Sequence, residues 1–291
     1  MKRAADAPEP GRADLLAHLP RLGGDGWSAA LDVPEDHPYF TDHQRDEIAG
    51  TLAVAGLLDL VAAVGGRSMG RPGRRLVLDL TFPGPGVPDL LTTRPEPGVP
   101  GLWSLRAGSD GLVVCAGSLN VLDAVGSRPG IPPSTGVELC PQELVDREYP
   151  ENVLIGLPDR DTTSITTRVL TPPPGHYLDG SGEATHSVRS LLEACLQFLT
   201  VLQHWATCLP ADVRMVWLHF HADLPAVPAP EGTYSLRWHR KPPKNRYLVM
   251  DIELLGGAGE TAGRFGFRAL AVSPEAYRRI RDAARHGVVS G

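Results

Sequence analysis

Two segments of this chain are apolar around their whole circumference when drawn as helices. Residues 48–64 include one charged side chain, that of Asp59, and residues 188–205 place apolar side chains on nearly every face. Because apolar surface left in water is unfavourable, a helix without a polar face must be surrounded by other elements. We therefore predict two buried central helices, each covered by its own set of strands.

The first apolar segment is too short to be a membrane span. It covers residues 48–64, fewer than the roughly 20 residues that a helix needs to cross a bilayer. The first ten residues mix charges with prolines and do not resemble a secretory signal. The four cysteines lack the spacing of a metal site or a disulfide framework; they are Cys115, Cys140, Cys195 and Cys208. The sequence therefore predicts a reduced, cytoplasmic protein.

The charge balance argues against polyanionic partners. The formal net charge is −6, with a sequence pI of about 5.9, and the basic residues are scattered over the whole length. A nucleic-acid-binding surface or an anionic-membrane-binding surface needs clustered positive charge. We expect neither nucleic acid nor a membrane as partner.

One order of elements occurs twice along the chain. In the first half, helix 48–64 precedes strand-like runs at 76–82, 102–106 and 112–122. In the second half, a strand-like run at 162–170 and helix 188–205 precede four further runs, at 213–224, 233–239, 246–255 and 264–272. The alternation in the run 246–255 is typical of a sheet with one apolar face. The pattern therefore indicates a duplicated unit.

The simplest packing of each unit wraps an antiparallel sheet around its central helix, which is the hotdog architecture. We predict an α+β double hotdog with an N-terminal repeat at 1–125, a linker rich in Gly, Pro and Ser at 126–145, and a C-terminal repeat at 146–291. The two repeats would pair as a pseudo-dimer within one chain, which removes open strand edges. Further assembly into a homodimer stays open.

The segment Asp36-His37-Pro38-Tyr39-Phe40-Thr41-Asp42-His43, continuing to Gly50, resembles the signature of the A-factor biosynthesis hotdog family. Members of that family make γ-butyrolactone signals in actinobacteria. In the second half the resemblance is carried by residues 149–155, by His186, by Leu192-Glu193-Ala194 with Gln197, and by residues 273–279. The resemblance implies a double hotdog that acts in bacterial secondary metabolism.

The family resembles, more distantly, the hotdog dehydratases that act on β-hydroxyacyl thioesters, in which a histidine of one unit and a carboxylate on the partner's helix share one site. The helix position that corresponds to this carboxylate is Ala55, counted from His37, and Glu193, counted from His176. If sites are shared across the pseudo-twofold axis, His37 pairs with Glu193, whereas His176 faces Ala55. The resemblance thus implies one intact site and one lost site.

These two residues suit acid-base chemistry. Burial of Glu193 without a partner would favour its protonated form, which can donate a proton. His37, in an aromatic loop before a proline, can accept one. The alternatives are a carboxylate stabilised by the start of its helix and a loop histidine that caps a turn.

Four further residues are candidates for supporting roles. Asp46 and His186 come just before the two helices, where each can cap its helix or orient a substrate. Gln197 lies one turn after Glu193 and can hydrogen-bond to it. A helix N-terminal amide near Gly50 can polarise a thioester carbonyl.

The lactone-forming members of the family carry an arginine where this chain has Leu196. A buried leucine cannot bind the phosphate of glycerone phosphate, so we expect dehydration of a β-hydroxyacyl or polyketide thioester on an acyl carrier protein or CoA. His37 would remove the α-proton and Glu193 would protonate the departing hydroxyl, with no metal or other cofactor. The alternatives are lactone-type condensation with Arg189 or another arginine replacing the missing one, thioester hydrolysis, and a non-catalytic acyl-binding protein.

Two other clusters have alternative interpretations. His219 and His221 form a His-x-His pair without a third ligand at a telling spacing, so we expect a structural role and no metal site. The basic group between Arg237 and Arg246 can dock an acidic carrier protein, or it can simply be a solvated hairpin.

Overall fold

The computed structural model describes most of the two predicted repeats. The described residues are 15–17, 20–23, 26–32, 39, 42, 49–65, 71–84, 86, 88–109, 111–123, 137–178, 186–206, 209, 213–228, 233–240 and 247–286.

Two long helices lie where the apolar segments predict them. Helix α1 spans Ala49–Gly65, one residue later at each end than predicted, and α3 spans Val188–Trp205, as predicted. Two shorter helices, α2 (Gln142–Val145) and α4 (Pro274–His286), complete the set in the described ranges. A 3-10 turn at Pro150–Asn152 follows α2.

Twelve strands in the described residues form one antiparallel sheet. The first half contributes β1 (Arg21–Gly23), β2 (Gly26–Ala30), β3 (Arg74–Thr81), β4 (Leu90–Pro95), β5 (Leu102–Ser109) and β6 (Leu112–Asp123). The second half contributes β7 (Asp159–Arg160), β8 (Ser164–Val169), β9 (Arg214–Pro225), β10 (Tyr234–His239), β11 (Tyr247–Leu255) and β12 (Thr261–Val272).

The strand order repeats about the centre of the sheet. It runs β1-β2-β4-β5-β6-β3-β9-β12-β11-β10-β8-β7, so each half reads in the same sequence from the centre outward. The halves join where β3 pairs antiparallel with β9, from Arg75 opposite Pro225 to Thr81 opposite His219. The sheet is therefore continuous across the junction, as the predicted pairing of strand edges requires.

The core lies on one face of the sheet, against the two long helices. In β11, Met250, Ile252 and Leu254 are buried, whereas Val249 and Asp251 are exposed, as the alternation predicts. Helix α1 packs on β4 and β5, and α3 packs on β8 and α2. Most of α3 is buried along its length. Burial of apolar surface between helix and sheet is thus the main source of stability.

Six elements were not predicted from the sequence: β1, β2, β4, β7, α2 and α4. Two of them, β4 and α4, have an evident physical reason. Strand β4 lies in a segment with prolines on both sides, which favours a loop by local pattern; its pairing with β2 and β5 overrides that preference. Helix α4 begins with proline at its first position, and the Ser273 hydroxyl accepts a hydrogen bond from the Ala276 amide. Both are start signals that the sequence carries.

Within the described residues, no helix combines the length and the apolar character needed to span a membrane.

Replacing Phe198 by alanine tests the central position of α3. The Phe198 side chain has no exposed surface, so the cavity left behind should lower the free energy of unfolding by about 3–5 kcal/mol. Urea denaturation followed by circular dichroism measures the change. Val249→Ala is the matched control, because Val249 is 54% exposed; an equal loss in both variants would contradict the burial of α3.

Candidate active site

Glu193 projects from α3 into a buried group of hydrogen-bond donors. Its residue is 3% exposed. Its Oε1 accepts hydrogen bonds from Arg147 Nη2 at 2.5 Å and from Gln197 Nε2 at 2.7 Å, and its Oε2 accepts one from the Tyr39 hydroxyl. The prediction that Gln197 hydrogen-bonds to Glu193 is confirmed.

The partners of Glu193 bear on its protonation state. A buried carboxylate without a partner is unfavourable as an anion, so the sequence alone predicts a protonated Glu193. The Arg147 guanidinium instead forms a salt bridge with it, and the arginine side chain has no exposed surface. The charge is compensated inside the protein, so burial alone no longer argues for a protonated Glu193.

Tyr39 brings the aromatic loop of the first half to this carboxylate. Its ring stacks on Tyr177, with 5.4 Å between centroids, and lies 4.5 Å from the Arg147 guanidinium carbon. Burial, followed by the charge of Glu193, raises the pKa of the Tyr39 hydroxyl well above its usual value, so the hydroxyl remains a donor. His37 precedes Tyr39 by two residues in the sequence. His37 and Asp46 themselves lie outside the described residues.

A second set of hydrogen bonds supports the same loop. The fully buried Asp42 accepts hydrogen bonds from the amides of Glu148 (2.8 Å) and Tyr149 (3.0 Å), and from the Asn152 side chain. Gln197 binds the backbone at Leu154 through its Oε1 (2.8 Å) and at Asn152 through its Nε2 (2.7 Å). The segment after α2 is therefore tied to both the loop and α3.

His176 belongs to this network. Its Nδ1 accepts a hydrogen bond from the Leu178 amide at 3.1 Å, so Nε2 carries the proton and donates to Asn152 Oδ1 at 2.7 Å. Its ring meets the Tyr39 ring edge-on, 6.0 Å between centroids. Ala55 lines the small cavity that Glu193 also lines. The predicted second pairing, of His176 with Ala55, stays a prediction.

Two cavities meet at Glu193. The larger, about 110 Å³, lies between α3 and the strands β9, β11 and β12, and the smaller, about 30 Å³, lies toward α1. Both are bordered by Thr51, Glu193, Leu196 and Trp217. Trp217 and Leu196 thus lie at the junction between them.

Gly50 packs against Trp217 at the start of α1. Gly50 lies in the first turn of α1, and a Cβ atom there would be 2.8 Å from the Trp217 ring. Only glycine lets the helix start approach this tryptophan so closely. The first turn of α1 therefore borders the cavities, and the role of its amide remains a prediction.

Arg189, the predicted substitute for the missing arginine, is already engaged. It forms an ion pair with the buried Asp59 of α1, and its guanidinium carbon lies 5.5 Å from the centre of the Tyr177 ring. Leu196 lines both cavities, as expected of an apolar residue at that position. Neither observation favours a phosphate site.

His186 does not cap α3. The N-cap is Ser187, whose side chain accepts from the Ser190 amide, while the Ser190 hydroxyl accepts from the Ser187 amide. His186 is buried edge-on against Tyr234, 5.2 Å between centroids. Burial lowers the pKa of His186 to about 4.

The remaining candidate residues are the His-x-His pair and the cysteines. His219 and His221 both contact Asp79 on β3, at 3.1 Å and 3.4 Å. No group of three or more His, Cys, Asp or Glu side chains in the described ranges is arranged to hold a metal. Cys115, Cys140 and Cys195 are free and buried, and burial raises the pKa of the first two thiols to about 12. The fourth cysteine, Cys208, lies outside the described residues.

Sequence reasoning missed Arg147, Asp42 and Asn152. Arg147 and Asn152 lie in the polar stretch after the linker, where local pattern indicates only a loop. A signal was nevertheless present, because residues 149–155 contributed to the family resemblance. The partner of each residue lies far away in the chain, which a local pattern cannot reveal.

Comparison with known proteins supports the fold. No protein-family model and no curated protein matches the sequence. Solved structures do match, and among them is a hot dog fold protein of unknown function from Alicyclobacillus acidocaldarius, with 15% identity and a TM-score of 0.53 over 90% of this chain and 97% of that chain. This chain has the hotdog fold. Its twelve strands and two long helices are consistent with the predicted double hotdog.

Dehydratase domains are also among the similar structures. The dehydratase domain of RzxB from Pseudomonas fluorescens matches with 17% identity and a TM-score of 0.58, over 89% of this chain and 98% of that chain. A trans-AT PKS dehydratase domain from Brevibacillus brevis matches with 13% identity and a TM-score of 0.63, over 91% and 100%. The likeness extends over nearly the whole hotdog fold. Membership of the A-factor family stays a prediction.

The buried imidazole of His186 should make stability depend on pH. Its folded pKa of about 4 lies below the usual value of about 6.5, so the unfolded chain binds more protons between these two values. Stability should be complete above about pH 6.5 and should fall toward pH 4, by at most about 1.4 kcal/mol per pH unit from this group. Urea titrations across this range measure it.

The matched variants are His186→Gln and His219→Gln. The first should flatten the pH dependence, and the second should leave it in place, because His219 lies on the half-exposed side of β9. A wild-type slope that persists in His186→Gln would show that other groups cause it.

Proposed function

We propose that this protein dehydrates a β-hydroxyacyl thioester at the cavity bordered by Glu193. The observation that carries the proposal is the contact between Glu193 on α3 and Tyr39 of the first half. Tyr39 follows the proposed base, His37, by two residues in the sequence. The likeness in fold to dehydratase domains favours the same reaction class.

The reaction needs a base, a residue that binds and orients the substrate hydroxyl group, and a donor that polarises the thioester carbonyl. His37 removes the α-proton, and the first turn of α1, near Gly50, directs a backbone amide at the thioester oxygen. The bond from Cβ to the hydroxyl breaks, a double bond forms between Cα and Cβ, and water leaves. The balance requires no oxidant or reductant.

The salt bridge refines the role of Glu193. With Arg147 compensating its charge, the carboxylate accepts a hydrogen bond from the substrate hydroxyl and orients it. The proton that His37 takes from Cα then returns to the departing hydroxyl. In this version Glu193 remains essential as the acceptor, and the proton is supplied by His37 instead of Glu193.

The partner and setting follow from the reaction and stay part of the proposal. The substrate would be carried on the phosphopantetheine of an acyl carrier protein or on CoA, in the cytoplasm, within bacterial secondary metabolism. The basic group near β10 offers a docking surface, although Arg237 already hydrogen-bonds to Glu253 at 2.8 Å. Residues 241–246 of that group lie outside the described residues.

A second candidate function is acyl binding without catalysis. It is favoured by the enclosure of Glu193, whose side chain is 4% exposed and contacts Arg147, Tyr39 and Gln197. A carboxylate this well satisfied can serve the fold alone. The two candidates differ in turnover.

The test is turnover of a panel of β-hydroxyacyl N-acetylcysteamine thioesters of increasing length, with loss of water followed by mass spectrometry. His37→Ala and Glu193→Gln should each lower the rate by about 10²–10⁴-fold, since each removes one functional group. His219→Ala is the control, because His219 lies outside the site and should keep the wild-type rate.

Each alternative has its own product. Free thiol indicates hydrolysis, and a phosphorylated product formed from glycerone phosphate with a β-ketoacyl thioester indicates condensation. Tight thioester binding without turnover supports the acyl-binding candidate. Dehydration at full rate by Glu193→Gln would end the proposal.

A further inference from the structure

We infer that Arg147 is a positioning residue, which fixes the carboxylate of Glu193 relative to Tyr39 and Asp42 of the first half. This inference rests on the proposed function. It adds a residue that none of the sequence patterns assigned to the site.

The burial of Arg147 is the first observation. It is 1% exposed and is among the largest fully buried side chains in the described part of the chain. A guanidinium removed from water needs compensating charge and hydrogen bonds. A buried arginine in a loop segment beside a cavity therefore requires a reason, and its contacts supply one.

The two terminal nitrogens of Arg147 reach different parts of the site. Nη2 donates to Glu193 Oε1 at 2.5 Å, and Nη1 donates to the Tyr39 backbone carbonyl at 2.8 Å. Nη1 also lies 4.0 Å from Asp42 Oδ2 in the same loop. One rigid group thus joins α3 of the second half to the loop of the first half.

The contact at Tyr39 matters because the hydroxyl of the same residue donates to Glu193. Arg147 therefore binds both members of this pair, the Tyr39 backbone carbonyl and the Glu193 carboxylate. The guanidinium is planar and presents its donors in a fixed fork, which sets the distance between carbonyl and carboxylate. Tyr39 and Glu193 are in this way held by one side chain that lines neither cavity.

Replacing Arg147 by lysine distinguishes the effect of its positive charge from the effect of its planar geometry. An ammonium group keeps the positive charge beside Glu193, but it lacks the planar fork that engages two acceptors at once. Arg147→Lys should therefore fold, bind substrate with little change in KM, and lose about 10²-fold in kcat through misplacement of the reacting groups. Rates are divided by the folded fraction from urea titration.

Arg75→Lys is the matched control. Arg75 also joins the two halves, through Asp223 at 2.7 Å, and it borders neither cavity at Glu193. Its replacement should leave kcat and KM unchanged. A general weakening of the junction between the halves would affect both lysine variants alike.

Methionine variants keep the test decisive if Arg147→Lys does not fold. Arg147→Met leaves Glu193 buried without a counter-ion and should be less stable than the double variant Arg147→Met with Glu193→Gln. The double variant should regain stability and stay inactive.

The outcomes are distinguishable. No turnover by the wild-type chain would overturn the proposed function and this inference with it. Wild-type turnover together with a full kcat in Arg147→Lys, an equal loss in Arg75→Lys, or no stability gain in the double variant would overturn the inference alone.

Discussion

One electrostatic requirement organises this site: the carboxylate of Glu193 is buried within α3 and must be compensated by positive charge. Arg147 meets the requirement, and in doing so it is itself buried. Each group then needs further partners, so Tyr39 and Gln197 donate hydrogen bonds to Glu193, and Asp42 lies near the Arg147 guanidinium. The polar centre is thus built from both halves, and none of its members can be removed without leaving another unsatisfied.

The fold follows largely from apolar patterning. An α3 that is apolar on most faces has to be enclosed, and alternation in β11 indicates which side chains face it, so the helix bounds and the buried residues of that strand were predictable. The pattern failed at β4, where prolines indicate a loop while hydrogen bonds from both neighbouring strands fix a strand. Tertiary pairing decides such segments, and it has no local signature.

The candidate site was predictable only in part. Glu193 could be found through the family resemblance, and Gln197 because its spacing from Glu193 on one helix face is local information. Arg147 could not, since its partners are 46 residues away on α3 and 108 residues away at Tyr39. The duplicated topology also does not reveal that His176 is linked to the polar centre at Glu193 through Asn152. A repeated order of strands and helices does not require the same charged residues in both halves.

The central pairing of β3 with β9 bears on whether the halves are autonomous. Within the described sheet the outermost strands, β1 and β7, span only three and two residues, whereas the junction aligns backbone from Arg75 to Thr81 with the opposite half. A fragment ending between the repeats would present that long ladder of amide and carbonyl groups unpaired. Such a fragment would self-associate through β9 or β3. The two halves are therefore not independent folding units, although each has the same order of strands and helices.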